Sequence, residues 1–349
     1  AAAEILAEIE KLDIFADVKQ SDFESGVADG QIKYISDDVL TAFVEEVKKQ
    51  SLLDDSVKVD KNVAIVYSPL NGTGLKPVLR TLKETGYTNI TVVKEQENPD
   101  GNFPTCPYPN PEIKAMALGM EYAKKCNADL LLATDSDCDR VGIAVKNAAG
   151  EYVLLSGNET GMLLLNYVCE RRIAMGTMPK DPVLCKTIVT IDMADRIAAD
   201  YGVRTVNLLT GFKFIGEHIG RLEKEGKADS YIFGFEESYG YLSGTYVRDK
   251  DAVNGAYLIC EMFAYKASAS LTSSILSMRN TATASILFTH MSLTALQALQ
   301  RCRISWLSST RGLIQSVARR LSSARITARD STDFLSLMCS SLCLRATAR

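Results

Sequence analysis

The sequence predicts an α/β protein made of consecutive α/β/α domains, incomplete at both ends. Three observations lead there. From Lys61 onward, short apolar runs alternate with amphipathic helical patterns, and the alternation starts afresh after residue 180, as expected for helices laid on sheets with parallel strands. The first 60 residues show helical patterns and no strand. The composition then changes abruptly near residue 266.

Residues 1–60 read as the C-terminal remnant of a first domain, with helices over 2–12 and 37–49 and Asp37 as the N-cap of the second. A second domain is expected over 61–180. Residues 63–67 form a short apolar strand, and Ser68-Pro69-Leu70-Asn71-Gly72-Thr73-Gly74 is a turn-rich loop. Leu75, Val78, Leu79 and Leu82 share one face of a helix over 75–85, which Gly86 stops. A strand over 90–93, a Pro-rich loop over 98–111 and a helix over 112–126 follow. Leu130-Leu131-Leu132-Ala133-Thr134 reads as a buried strand of a parallel sheet. Strands over 141–145 and 152–155, joined by a turn, complete the set. A connecting helix over 159–175 leads to a third domain over 181–266. Its strands are expected at 183–189, 204–209 and 231–235, and its helices at 192–201, 212–224 and 251–267.

Residues 1–266 carry 41 acidic and 29 basic side chains; residues 267–349 carry 10 Arg, 2 Asp and neither Lys nor Glu. The second stretch also lacks Tyr and has 26 Ser or Thr among its 83 residues. A solvated helical surface uses Lys and Glu as well as Arg, so 267–349 is read as an aberrant Ser/Arg-rich tail, translated out of frame or from unrelated DNA. The rival reading is a basic tail that binds nucleic acid. It is disfavoured because the Arg residues form no dense patch and no aromatic platform accompanies them.

The whole-chain charge of −4 points to no polyanionic partner, and no run is long enough to span a membrane. Nine cysteines in 349 residues, with only His218 and His290 beside them, fit neither a disulfide framework nor a zinc pattern. A cytoplasmic protein with reduced thiols is expected.

The densest chemistry lies in Asp135-Ser136-Asp137-Cys138-Asp139-Arg140. Carboxylates this close repel unless a cation sits between them, and a hard divalent ion with oxygen ligands answers that need. The loop follows a strand, where ligands of such sheets gather, and Arg140 could hold a phosphate that shares the ion. A calcium EF-hand is excluded, because its sixth and twelfth positions hold Arg140 and Lys146. An aspartyl-phosphate phosphatase with Asp135 as nucleophile stays open. Asn71-Gly72-Thr73-Gly74 could cradle a phosphate or be a plain strand-to-helix turn. Glu236, Glu237 and Ser238 suit capture of sugar hydroxyls, or form an exposed charged turn. Lys213, opening a helix, could donate a proton or bind phosphate, or be a solvated lysine. Arg248 and Lys250 precede the last helix and could hold an anion or cap a salt-bridged helix start.

In order, these pieces resemble the α-D-phosphohexomutase family. The match is carried by Tyr67-Ser68-Pro69-Leu70-Asn71-Gly72-Thr73-Gly74, the acidic loop with Ala133-Thr134 before it, Leu209-Thr210-Gly211-Phe212-Lys213-Phe214, Phe233-Gly234-Phe235-Glu236-Glu237-Ser238 and Tyr246-Val247-Arg248-Asp249-Lys250-Asp251. The resemblance implies four domains around one cleft and an isomerase that interconverts hexose 1-phosphates and 6-phosphates through a bisphosphorylated sugar. It implies Mg2+ held by Asp135, Asp137 and Asp139, with Arg140 stabilising transferring charge and Lys213 a proton-transfer group. Glu236, Glu237, Ser238, Arg248 and Lys250 would bind the substrate. Partners are then hexose phosphate and hexose bisphosphate, with no nucleic acid and no membrane, and the full-length member is expected to be a monomer. The family's phosphoserine loop, of the Ser-His-Asn-Pro type, and its phosphate-gripping Arg-Ser-Gly-Thr loop do not occur in the 349 residues. The chain alone is therefore expected to be inactive. A non-catalytic sugar-phosphate-binding protein is the further alternative.

Overall fold

The computed structural model describes residues 2–147 and 149–269; the expectation for the tail falls, from residue 270 on, outside them, as does His290. Three helices, α1 (Ala2–Ile9), α2 (Phe23–Ala28) and α3 (Asp37–Lys48), precede any strand. The short α2 lies between the two helices expected in this segment. It forms because the Asp22 side chain accepts the Ser25 N–H at 2.9 Å and caps it.

The first sheet follows. Its strands are β1 (Ile65–Ser68), β2 (Ile90–Val92), β3 (Leu130–Thr134), β4 (Val141–Lys146) and β5 (Tyr152–Leu155), with α4 (Leu75–Glu84) and α5 (Ile113–Cys126) between them. The order is β2-β1-β3-β4-β5. β1 is parallel to both β2 and β3, but β3 pairs β4 antiparallel and β4 pairs β5 likewise. The sheet is therefore mixed, not parallel throughout. Its β3 is still buried on both faces, which is why an all-apolar run suggested a parallel strand. One face packs Val66, Leu70, Val93, Met116, Leu131 and Ala133 into a core beneath α5. That helix ends where Asn127 takes a left-handed φ of 51°.

Asp37 is not the N-cap of α3. Ser36 holds that position with an extended backbone, and Asp37 is the first helical residue, where its carboxylate pairs with Arg80 of α4 at 3.1 Å. Adjacent Ser and Asp are both good caps, so the pattern alone misplaced the start by one residue.

A long helix, α6 (Gly157–Ala174), leads to the second sheet. That sheet comprises β6 (Val183–Thr187), β7 (Arg204–Leu208), β8 (Tyr231–Phe235) and β9 (Tyr241–Leu242), with α7 (Met193–Asp200), α8 (Phe212–Lys224) and finally α9 (Ala252–Ala269). Its order, β7-β6-β8-β9, repeats the first four strands of the first sheet, a parallel trio followed by an antiparallel strand, and among the described residues lacks a counterpart of β5. The two-residue β9 was not foreseen.

More than a connector, α6 buries Leu163, Leu164, Leu165, Tyr167, Val168 and Cys169 and packs against β4, β8, α7 and α9. Its start is a capping box: Ser156 accepts the Glu159 N–H at 3.2 Å, and Glu159 accepts the Ser156 N–H at 2.7 Å. Ser156→Ala is expected to lower stability by about 1 kcal/mol, read as an earlier midpoint in urea with unchanged slope. Below α6, a buried carboxylate on α9 ties the segment after α3 to the body. Glu261 accepts the Leu52 N–H at 2.8 Å and the Tyr167 hydroxyl at 2.9 Å, while Arg171 of α6 donates to the Leu52 carbonyl at 2.9 Å.

Among the described residues no helix is long and apolar enough to cross a membrane. The cysteines there, including Cys138 of the acidic loop, are free thiols.

Candidate active site

The acidic loop turns β3 into β4 at the end of the first sheet. Its shape is fixed by Asp135 itself. The buried Asp135 accepts the N–H groups of Asp139 and Arg140 on Oδ1 at 3.0 and 2.9 Å, and Cys138 at the apex takes a φ of 62°. The three carboxylates, Asp135, Asp137 and Asp139, place one oxygen each within 4.8 Å of one another. Asp139 Oδ1 is buried with no hydrogen-bond partner, as is Arg140 Nε. That Nε lies 3.8 Å from Asp135 Oδ2 and 3.7 Å from Asp139 Oδ1, and Arg140 Nη1 donates to Asn110 at 2.7 Å. An all-oxygen anionic donor set with an unsatisfied buried oxygen suits a hard divalent cation.

Burial, aided by the Asp139 and Asp137 carboxylates, pushes the Asp135 carboxyl up to about 7 from the usual 3.8. The folded chain thus keeps this proton where the unfolded chain has lost it. Without a metal, Asp135's contribution to stability is expected to fall as pH rises between those two values. A divalent cation binds the ionised form, so its affinity is expected to climb over the same interval, by up to about tenfold per pH unit. Thermal unfolding from pH 5 to 8, in EDTA and in Mg2+, checks both slopes.

The loop 70–74 serves this site as a brace, not a phosphate cradle. Four of its N–H groups are spent on protein: Leu70 on Ser68 Oγ at 3.0 Å, Asn71 on Gln96 O at 2.9 Å, Gly72 on Pro69 O at 2.8 Å and Thr73 on Ser136 O at 2.9 Å. A Cβ on Gly72 would lie 2.6 Å from Ser136 Cα, so only glycine permits this approach.

The second sheet supplies the facing loops. Between β8 and β9, Glu236 is buried and accepts the Gly211 N–H at 3.2 Å; burial raises its carboxyl, opposed by the charge of Lys250. Glu237 accepts the hydroxyls of Thr187 and Thr190, each at 3.2 Å, and Ser238 is half-buried. Lys250 reaches across from the turn before α9. Its Nζ stands 2.5 Å from Asp139 Oδ2 and 3.4 Å from Asp249. Backbone bonds join the same loops: Val141 N–H to Tyr239 O at 3.1 Å and Ala252 N–H to Cys138 O at 3.2 Å.

Thus Asp135, Asp137, Asp139, Arg140 and Lys250 gather at one place, with Glu236 close enough to feel the Lys250 charge. Two more of the expected residues contact other groups. Lys213 is exposed, with its ammonium 5.1 Å from the Phe214 ring centre, and Arg248 is exposed and paired with Glu223 of α8. Sequence reasoning missed three contributors. Asn110 holds Arg140, and Gly211, with φ 116°, turns its N–H onto Glu236. Lys186 is only 1% exposed and donates to Thr190 O at 3.0 Å. For Lys186 a signal existed: a lysine in an otherwise apolar strand.

Two family models match the chain. One describes the phosphoglucomutase/phosphomannomutase alpha/beta/alpha domain II, over residues 41–150; the other describes domain III, over residues 156–280. The chain belongs to the α-D-phosphohexomutase family. A Staphylococcus saprophyticus phosphoglucomutase is 36% identical over 257 residues, 72% of this chain and 45% of that protein. A Mycoplasmoides pirum phosphomannomutase is 35% identical over 238 residues, 67% of this chain and 42% of that one. This phosphohexomutase chain therefore spans less than half the length of these relatives, whose names are those of isomerases. In fold it resembles a Burkholderia thailandensis phosphoglucomutase/phosphomannomutase family protein, with a TM-score of 0.51 and 18% identity over 65% of this chain and 44% of that one.

Proposed function

We propose that this chain carries the metal-binding and sugar-gripping part of a phospho-sugar mutase that interconverts hexose 1-phosphates and 6-phosphates. The observation that carries this is the meeting of two loops from two sheets: the Asp135–Asp137–Asp139 cluster, and the Lys250 ammonium 2.5 Å from Asp139, beside the Glu236 loop. In this reading the three aspartates hold Mg2+, which when bound supplies positive charge against a phosphoryl group. Arg140, steadied by Asn110, turns its guanidinium to the same group and stabilises charge as it moves. Glu236, Glu237 and Ser238 accept and donate to sugar hydroxyls, while Arg248 and Lys250 present cations to phosphate from the turn before α9. Lys213 keeps its assignment as a proton-transfer group only if it leaves the Phe214 ring. We further place the functional domains at 61–180 and 181–266, behind a remnant over 1–60, in a monomeric cytoplasmic enzyme.

A nucleophilic role for Asp135 is disfavoured, because its side chain is buried, one oxygen is committed to two N–H groups, and it holds its proton to near neutrality. Isothermal titration of the full chain with glucose 1,6-bisphosphate and mannose 1-phosphate tests the proposal. Binding that requires Mg2+ is expected, without turnover; no heat from either sugar in saturating Mg2+ would sink the reading.

A further inference from the structure

We propose that Lys250 sets the metal selectivity of the acidic loop by restricting Asp139 to a single ligand oxygen. This rests on the reading that Asp135, Asp137 and Asp139 hold a divalent cation.

The carboxylate oxygens are already divided. Asp135 Oδ1 is committed to the N–H groups of Asp139 and Arg140 at 3.0 and 2.9 Å, which leaves Oδ2. Asp139 Oδ2 is committed to Lys250 Nζ at 2.5 Å, which leaves Oδ1, buried and without a hydrogen-bond partner. Both remaining oxygens flank the Arg140 guanidinium, at 3.8 and 3.7 Å from its Nε, and the three carboxylates place one oxygen each within 4.8 Å of one another. A carboxylate held in this way ligates through one oxygen. Mg2+ takes six ligands at about 2.1 Å and accepts that arrangement, completing its shell with water. Ca2+ takes six to eight oxygens at about 2.4 Å, commonly two from one carboxylate. Lys250 withholds the second oxygen. Packing keeps it there: its stem lies against Gly240, where any Cβ would overlap it.

Charge alone does not give this effect. Mg2+ and Ca2+ are both divalent, so the repulsion exerted by the ammonium largely cancels in the ratio of their affinities. The orientation of Asp139 does not cancel.

The test uses the full chain. Mn2+ binding is followed by the paramagnetic resonance of free Mn2+, and Mg2+ and Ca2+ are measured by displacement. Lys250→Met is expected to raise the Ca2+ to Mg2+ affinity ratio by about tenfold, the usual scale for losing an outer-shell partner. Lys250→Arg, which keeps donors on Oδ2, is expected to hold the ratio within about threefold. Lys250→Ala gives the same readout if the Met variant does not fold. A ratio unchanged in the neutral variants, or shifted equally by Lys250→Arg, overturns the proposal while leaving the metal site standing. If the parent chain takes up no Mn2+, the metal reading fails and the proposal falls with it.

Discussion

Asp137→Ala is expected to weaken Mn2+ binding by roughly 100-fold, about 2.7 kcal/mol, in a titration of the full chain at pH 8. Asp137 is the exposed member of the cluster, and no hydrogen bond shapes the loop through its side chain, in contrast to Asp135. Its removal takes one of three anionic ligands from a hard cation, and charge count is what tunes affinity in such sites. The fold should not suffer. With the metal chelated, the variant should melt within about 1 °C of the parent or slightly above it, because one like charge has left the cluster. Asp135→Ala would be a poor substitute, since it also strands two N–H groups and collapses the turn. A loss below about fivefold in Asp137→Ala would place the cation elsewhere.

Gly157→Ala is expected to cost about 3 kcal/mol, the upper end for overpacking a well-packed interior. Gly157 opens α6 against the Glu236 loop, and a methyl group there would overlap the Glu237 carbonyl oxygen and crowd the Tyr239 N–H. Those are backbone atoms of a loop fixed at both ends, so relief by a rotamer change is not available. Either the helix start retreats or the loop moves. Urea unfolding measures the first effect. The second shows as a change in the intrinsic fluorescence of neighbouring tyrosines even where the chain stays folded. Gly220→Ala is the control, because it lies on a helix with nothing within 4 Å of the added carbon, and it is expected to be neutral or mildly stabilising. Equal stability of the two variants would refute the packing argument.

Much of the fold was legible because local signals were strong and unopposed. Leu130–Thr134, Phe212–Lys224 and Tyr231–Phe235 were located to the residue, each bounded by a turn or a glycine. What failed was non-local. β9 exists only because Gly234 and Phe235 offer it partners, and two residues carry no period. The antiparallel turn of the first sheet at β4 was hidden because a strand buried on both faces reads the same in either direction. The acidic triad was legible as chemistry, since alternating carboxylates have few uses. Its partners were legible only in part: Asn110 and Gly211 reach the site from loops far along the chain and went unnamed, while Lys250 was named as an anion or substrate binder but not as the neighbour of Asp139. Arg248 was named from its chemistry, and the structure adds an exposed ion pair with Glu223 that the sequence did not announce.

Because α6 is packed into both sheets and two backbone bonds stitch the acidic loop to the segments around Tyr239 and Ala252, the distance between the cation cluster and Glu236 is a ruler, not a jaw. A molecule bridging the two ends is judged by its length. Under the proposed reading, the length of a ligand more than the configuration of any one hydroxyl is then what the spacing of these two loops would select.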